Sequence, residues 1–310
     1  GTLDVGSDGT LYLGGARLNQ SGHVVTRSSD ARDPGVTPTF DFVNPVDLGG
    51  RTLANLGGTN NPNPDGILGQ VSIAADPSNA QRLYILGSIE PQTGNPLDVM
   101  LVRSVNRGLT WSAPIRVNTD GASGGWHWFG TISVAPSGRI DAIWNDTRNT
   151  GAVNLSELYY ASSVDGGLTW LEVGPLTPIW DSHVGWPQQN KIGDYYHMVS
   201  DLGGANLTYA ATFNGEQDVY FLRIPADCNQ NGVPDNQDVL NGAADCNGNS
   251  IPDFCEPNSD CNSNLVQDIC EIAAGASLDC NLNNIPDSCE SPADCDNNGI
   301  QDICDIVDGA

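Results

Sequence analysis

Basic residues are scarce. The 310-residue chain holds 12 Lys and Arg against 38 Asp and Glu, a formal charge of −26. A surface this short of cations excludes nucleic acid as a partner, because phosphate recognition needs a basic face. It likewise excludes attraction to anionic lipid. Long apolar runs are missing too: none approaches the roughly 20 residues of a membrane helix, so no membrane insertion is expected. Extended helical patterns are few, and 36 Gly with 19 Pro point instead to short strands joined by many turns. What is present suffices for a core: 39% of residues are hydrophobic, which excludes global disorder. The length holds one large domain or two ordinary ones.

Two further absences divide the chain. Residues 1–225 contain no cysteine, and residues 226–310 contain no Lys or Arg, Arg223 being the last basic side chain. The first stretch carries 21 acids and all 12 bases; the second carries 17 acids and all nine cysteines, from Cys228 to Cys304. Two units follow, 1–225 and 226–310, meeting near Ile224-Pro225-Ala226. Cysteine this dense implies an oxidising compartment, hence a secreted, extracellular or cell-surface protein. A start at Gly1 rather than Met reads as a processed or truncated secreted chain.

The second unit is repetitive. Five segments place oxygen-bearing side chains at positions 1, 3, 5, 9 and 12, with Val or Ile at position 7 offering its carbonyl. In the first loop these are Asp227, Asn229, Asn231, Asp235 and Asp238, with Val233 at position 7. The second has Asp245, Asn247, Asn249, Asp253 and Glu256, with Ile251; the third has Asp260, Asn262, Asn264, Asp268 and Glu271, with Val266. The fourth has Asp279, Asn281, Asn283, Asp287 and Glu290, with Ile285; the fifth has Asp294, Asp296, Asn298, Asp302 and Asp305, with Ile300. A hard dication needs six to eight converging oxygens, and alternate residues of a tight loop supply them in this order. Of the 17 acids, 16 fall on ligand positions, Asp308 being the exception; a solvated acidic tail would scatter its charges. Ca2+ is therefore the expected cofactor.

These segments resemble the calcium loops of dockerins and of thrombospondin type 3 repeats across 227–305, and the resemblance implies the same ligand set. Position 6 favours Gly, which adopts positive φ freely. Gly232 and Gly299 meet that demand and Asn284 tolerates it, whereas Ser250 is less suited and Leu265 breaks the pattern. The third loop is thus where geometry or occupancy is expected to suffer. Loop starts are spaced 18, 15, 19 and 15 residues apart, a two-loop period whose third unit is half present, so a sixth loop is expected in a longer parent protein.

All nine cysteines occupy loop position 2 or 11; only Cys228 lacks a counterpart, Gln237 standing there. Bridges between neighbouring loops are favoured: Cys228–Cys246, Cys255–Cys261, Cys270–Cys280 and Cys289–Cys295, leaving Cys304. Pairing within each loop is the alternative, but it must bring residues nine apart to within ~7 Å between Cα atoms. Zinc fits poorly, since hard oxygen donors alternate with the cysteines and no His lies nearby.

In the first unit, residues 4–13, 71–86, 132–144 and 197–212 each read as two β-rich runs around a polar turn, a hairpin signal. Between them stand Ser163-Val-Asp165-Gly-Gly167-Leu-Thr169-Trp170 and Ser104-Val-Asn106-Arg-Gly108-Leu-Thr110-Trp111; Ser28-Ser-Asp30 through Phe40 reads as a stretched copy. The Asp or Asn of such a turn caps backbone N–H groups, Gly relieves the turn, and Trp packs between sheets. These motifs resemble the Asp boxes of the sialidase-like β-propeller family, over most of 1–225. The fold expected is all-β: three and a half to four sialidase-like blades followed by an irregular, disulfide-rich calcium-loop array. Sialidase propellers have six blades, so the resemblance implies blades missing upstream or supplied by partner chains.

The resemblance also implies three Arg gripping a substrate carboxylate, a Tyr–Glu nucleophile pair and an Asp acid/base. Only 11 Arg are present, and no such triad assembles from matching motif positions. The candidate ligand-binding residues are Arg148 and Asp146, ending an inner strand, and Tyr195; bracing of neighbouring blades is the competing role. Trp126-His127-Trp128-Phe129 is Gly-flanked and looks exposed, fit either for sugar stacking or for packing between blades. The four His lack metal-ligand spacing, and Asn19, Asn145, Asn154 and Asn206 lie in glycosylation sequons. The leading expectation is a non-catalytic, calcium-stabilised structural or adhesive protein that associates with identical chains head-to-tail or with extracellular glycans. The alternative is a carbohydrate-active, sialidase-like glycoside hydrolase or sugar-binding module.

Overall fold

A computed structural model describes residues 1–17, 22–40, 42–53, 58–91, 96–121, 125–185, 187–188, 191–193, 196–256, 260–280 and 282–290. The chain divides into two compact units, Gly1–Ala226 and Asp227–Ala310.

The first unit is built of four antiparallel sheets, each meandering outward from an inner strand. Blade 1 is β1 (Thr2–Val5), β2 (Leu11–Ala16), β3 (His23–Ser28) and β4 (Phe42–Val46). In blade 2, β5 (Gly50–Arg51) and β6 (Val71–Ala75) both pair with β7 (Leu83–Pro91), followed by β8 (Asp98–Ser104) and β9 (Ile115–Arg116). Blade 3 runs β10 (His127–Val134), β11 (Ile140–Asp146), β12 (Leu155–Ser163) and β13 (Leu171–Val173), with β14 (Trp180–Asp181) also on β12. Blade 4 has three strands, β15 (His197–Asp201), β16 (Gly204–Ala211) and β17 (Asp218–Pro225). This is a four-blade propeller arrangement, and the four hairpins read from sequence are the inner hairpins of the four blades.

Blades stack face to face, which explains the composition of their strands. β6 and β11 are buried along their whole length, so they read as continuous apolar runs; β15 alternates, one face being covered. Tyr12 and Val25 pack with Ile73 and Ile85 between blades 1 and 2, and Tyr84 and Leu101 with Ile132 and Ala142 between blades 2 and 3. Trp128, Phe129 and Ile143 meet Tyr196 and Leu207 between blades 3 and 4. Each such large side chain contributes roughly 1.5–3 kcal/mol on burial.

The Asp boxes close the outer turns. Asp165 accepts hydrogen bonds from the Leu168 and Thr169 amides, 2.9 and 3.0 Å, and from Thr169 Oγ1, 2.6 Å. Asn106 does the same for the Thr110 amide. The stretched copy is genuine: Asp30 accepts from the Thr39 amide and Thr39 Oγ1, so the inserted residues loop out while the cap is kept. The boxes of blades 2 and 3 also fasten their blades to the preceding ones. Arg27 of blade 1 donates to Arg107 O in the blade 2 box, and Arg103 of blade 2 donates to Gly166 O in the blade 3 box.

The second unit carries two short helices, α1 (Asp235–Leu240) and α2 (Asp268–Ala273), after the first and third loops; single 3-10 turns at Asp253–Cys255 and Asp287–Cys289 follow the second and fourth. That alternation is the two-loop period. Leu265 adopts φ +71°, matching Ser250 at +68°, Asn284 at +64° and Gly232 at +84°. The third loop therefore keeps the shape of its neighbours, with the local strain of a left-handed Leu.

The disulfide pairing expected from sequence is corrected. The bridges are Cys228–Cys255, Cys246–Cys270 and Cys261–Cys289, with Cα separations of 5.7, 5.4 and 5.9 Å. Position 2 of one loop thus joins position 11 of the next. In Cys228, Cys246 and Cys261 the backbone N–H is pinned by the position-9 Asp of its own loop. The helical turn of the following loop lies against that point, as the contact of Cys255 Sγ with Asp235 Oδ1 shows, so the cysteine nearest in sequence is not the one in reach. Cys280 is disulfide-bonded rather than paired with Cys270; Cys295 and Cys304 lie outside the described residues.

Candidate functional site

Arg148 and Asp146 do come together, but in a closed network. Asp146, at the end of β11 and wholly buried, accepts hydrogen bonds from Trp144 Nε1 at 2.9 Å, the Arg148 amide at 2.8 Å and Arg148 Nε at 2.8 Å. Arg148 also donates from Nη1 to Glu172 Oε1 at 2.7 Å and lies 4.3 Å over the Tyr159 ring. Burial opposes its charge, yet Asp146 and Glu172 together push its pKa up. A guanidinium held this way is a brace, not a free grip for a substrate carboxylate.

His127, missed as a member of this network, sits at its centre with no exposed surface. Its Nδ1 lies 2.6 Å from Leu97 O, and its Nε2 lies 3.1 Å from Asp120 Oδ1 and 3.4 Å from Asp146 Oδ2, meeting both carboxylates as charges rather than as aligned hydrogen bonds. Among the described residues, the ring nitrogens meet a carbonyl and carboxylates. Burial alone would lower the His127 pKa, but the Asp120 contact and the charges of Asp146 and Asp120 raise it above 6.5. Asn118 bridges Asp98 and Asp120 at 3.0 and 2.7 Å, which ties blade 2 into the cluster. The only hint in the sequence was His beside two Trp ahead of an inner strand.

The aromatic run is interior. His127, Trp128 and Phe129 are fully buried, correcting their exposed look; Trp128 Nε1 donates to Ser156 Oγ and its ring meets Trp180 at 5.8 Å. Phe129 stacks on Tyr196 at 5.3 Å. Asn145 is also buried, so its sequon is closed to modification. Tyr195, the third candidate, lies outside the described residues.

An open space remains where the four inner strands converge. A cavity of about 390 Å³ is lined by β1, β6, β10 and β15, with Asp4, Gln70, Ser72, Thr131, Ser133 and His197 among its polar groups and Ile73, Ile132, Tyr196 and Met198 among its apolar ones. Ser133 Oγ accepts the Ser200 amide, whereas Thr131 Oγ1 and Ser200 Oγ are buried with no partner. Asp4 is the one carboxylate among the described lining residues, and no Arg or Lys is among them.

In the second unit the position-12 acid folds back over its loop. Asp238 takes the side-chain amides of Asn229 and Asn231 at 2.9 and 3.1 Å, and Glu256 takes those of Asn247 and Asn249 at 3.2 and 2.7 Å. Glu271 takes Asn262 and Asn264, and Glu290 takes Asn283. Asp235, Glu256, Asp268 and Glu271 are buried. Asp235, Asp253 and Asp268 each lie beside two cysteine sulfurs, but those sulfurs are in disulfides and offer no thiolate to a soft metal. Asn281 and the fifth loop, 294–305, lie outside the described residues.

No protein-family model and no curated protein matches this sequence. Solved structures similar in fold include a Hadza microbial sialidase, 15% identical, covering 72% of this chain and 43% of that one with a TM-score of 0.46. A GH93 α-L-arabinofuranosidase of Fusarium graminearum, solved with arabinobiose, is 13% identical over 70% and 72% of the two chains, with a TM-score of 0.37. Trypanosoma rangeli sialidase, solved with 2,3-difluorosialic acid as a covalent intermediate, is 15% identical over 73% and 36%, with a TM-score of 0.39. The chain thus spans less than half the length of the two sialidases. The leading expectation of a non-catalytic structural or adhesive protein is corrected: the three neighbours named here are sugar-active enzymes; at these identities they show the fold, and the carbohydrate-active alternative is taken up as a proposal below.

Proposed function

We propose that this is a secreted, carbohydrate-active protein whose propeller takes an uncharged glycan unit into its axial cavity. The observation that carries the reading is the cavity wall. Asp4, Gln70, Ser72 and His197 bring donors and acceptors to it. A sugar hydroxyl both donates and accepts, so it suits a mixed set of this kind. Apolar side chains between them suit the C–H faces of a pyranose or furanose, and the volume lies within the range of small-molecule sites, about 300–1,000 Å³. With Asp4 the one charged side chain among the described lining residues, an anionic sugar would meet repulsion rather than a counter-ion, which sets this reading apart from a sialic-acid site.

The test is a panel of neutral and acidic glycosides, scored by calorimetric binding and by release of a fluorogenic aglycone, on the full chain. Neutral glycans should bind, and Gln70→Ala or His197→Ala should weaken them by about tenfold, the worth of one to two hydrogen bonds. Binding confined to sialosides, or none across the panel, would refute the assignment.

The second unit belongs to the same proposal as a calcium-stapled appendage with dockerin-like loops. Support comes from charge. Four acids are buried in a stretch that contains no Lys or Arg, and buried carboxylates require a compensating cation. The Asn amides that reach the position-12 acids occupy the place such an ion would take; turning each amide over presents its oxygen instead. Ca2+ would be held by positions 1, 3, 5, 7, 9 and 12 and would supply charge neutralisation and rigidity, not chemistry.

A further inference from the structure

Each of the three bridges described in the second unit has a carboxylate at its side. Cys228 and Cys255 meet Asp235, Cys246 and Cys270 meet Asp253, and Cys261 and Cys289 meet Asp268, with two sulfurs and one carboxylate oxygen of each trio within 4.8 Å of one another. The plan is the same three times: positions 2 and 9 come from one loop and position 11 from the next. The position-2 amide holds the carboxylate in place, donating to its Oδ1 at 2.9, 2.7 and 3.0 Å. Asp235 and Asp268 are buried, and residues 226–310 contain no Lys or Arg to stand beside them. An oxidised sulfur pair offers such a carboxylate neither a proton nor a charge. Two thiols in the same place make a different site.

We infer that in the dithiol state, the state in which every cysteine is synthesised, each trio is a Cys2Asp site for Zn2+ or another thiophilic dication, and that the ion holds the correct cysteine pair together ahead of oxidation. Thiolate and carboxylate are both zinc ligands, and three of them with a water complete a tetrahedron. Zn–S bonds of about 2.3 Å and Zn–O bonds of about 2.1 Å set the ligand atoms roughly 3.6–3.8 Å apart, inside the 4.8 Å that gathers them. Binding displaces two protons: Zn2+ and two Cys–SH give two Zn–S bonds and two H+. Oxidation then unloads the site. A disulfide oxidant takes two electrons from the two thiolates, the cysteine S–S bond forms, the oxidant takes up two protons and leaves as two thiols, and Zn2+ is released.

The pairing shows what such a site would do for the chain. Eight cysteines alone allow on the order of a hundred connectivities, and each described bridge passes over the cysteine nearest in sequence. The Asp belongs to the loop of position 2 and rests against position 11 of the next loop, so a site built on it selects the native partner. A hard ion such as Ca2+ makes no such selection, because it takes oxygen rather than sulfur. Calcium is not required either, since only position 9 of each loop takes part.

The test is a Co2+ titration of the full chain without calcium, oxidised and after anaerobic reduction with a phosphine. Cobalt bound to thiolate shows a sulfur-to-metal charge-transfer band that carboxylates do not give. The reduced chain should develop that band and lose it to added Zn2+, and the oxidised chain should show none. Asp235→Asn, Asp253→Asn and Asp268→Asn combined should weaken Co2+ binding by about tenfold or more, at least the cost of losing a group that only supports a ligand. Reoxidation of the reduced wild type by a disulfide oxidant should give several-fold more Cys228–Cys255, Cys246–Cys270 and Cys261–Cys289 in Zn2+ than with a chelator, read by peptide mapping, and the triple variant should lose that gain. A reduced chain without the band, a band that the triple variant keeps at unchanged affinity, or native pairing that Zn2+ fails to raise would each overturn the inference.

Discussion

Replacing Asp146 with Asn separates a structural brace from a substrate-gripping arginine. In the folded protein Asp146 carries Trp144 Nε1 and two donors of Arg148 while lying 3.4 Å from His127. An isosteric amide keeps the shape but removes the negative charge, so Arg148 loses a buried counter-ion and His127 loses a neighbouring anion. Breaking a buried pair from one side costs about 3–5 kcal/mol. Part of the Arg148 charge stays satisfied by Glu172, which places the expectation at the lower end, about 3 kcal/mol. For a unit of this size that is roughly 6–12 °C in Tm. The assay is thermal unfolding of the full chain followed by near-UV circular dichroism, which reports the interior tryptophans. Asp146→Ala combined with Arg148→Met should be less destabilised than Asp146→Ala alone, because the second change removes the stranded cation. If Asp146→Asn shifts Tm by less than about 2 °C, the brace is wrong and Arg148 regains its standing as a free ligand-binding group.

Much of the fold was legible because it is written in local chemistry. The inner hairpins announce themselves through β-rich runs flanking turn residues, and the Asp boxes through a cap whose donors lie three to four residues away. The stretched box in blade 1 was readable for the same reason, since insertion between Asp30 and Thr39 leaves the two capping groups intact. Pairings that depend on three-dimensional reach were not legible. Cysteine spacing alone favours the nearest neighbour, whereas the partner is set by where the next loop's helical turn comes to rest. The candidate site suffered most. Arg148 and Asp146 were found as a pair, but their saturation by Glu172, His127 and Trp144 joins blade edges far apart in sequence. The cavity lining carries no sequence signal at all, for its residues come from four inner strands far apart in the chain.

Three further perturbations test other links. Leu265→Gly should stabilise the second unit by about 1 kcal/mol in calcium, since the position already holds φ +71° and Gly removes the Cβ conflict; limited proteolysis at 260–271 would measure it, and faster cleavage would contradict it. Chelation should unfold residues 226–310 while leaving the propeller's near-UV signal in place, because ligand binding at a hundredfold over its Kd supplies about 2.7 kcal/mol per site; an unchanged protease pattern in EDTA would remove the calcium assignment. The last concerns pH. His127 is raised above 6.5 in the folded state, against burial, by Asp120 and Asp146. A group with a raised folded pKa contributes its full stability below the unfolded value and loses it as pH climbs through the folded one. Propeller stability should therefore decline from near-neutral toward alkaline pH, in the direction opposite to acid denaturation of carboxylates. Asp120→Asn removes one of the charges that hold the proton and should shift the decline to lower pH. A propeller Tm that is flat above pH 6.5 in wild type, or a decline that Asp120→Asn leaves unmoved, would mean that the ring is neutral and that Asp120 and Asp146 are balanced by the arginines alone.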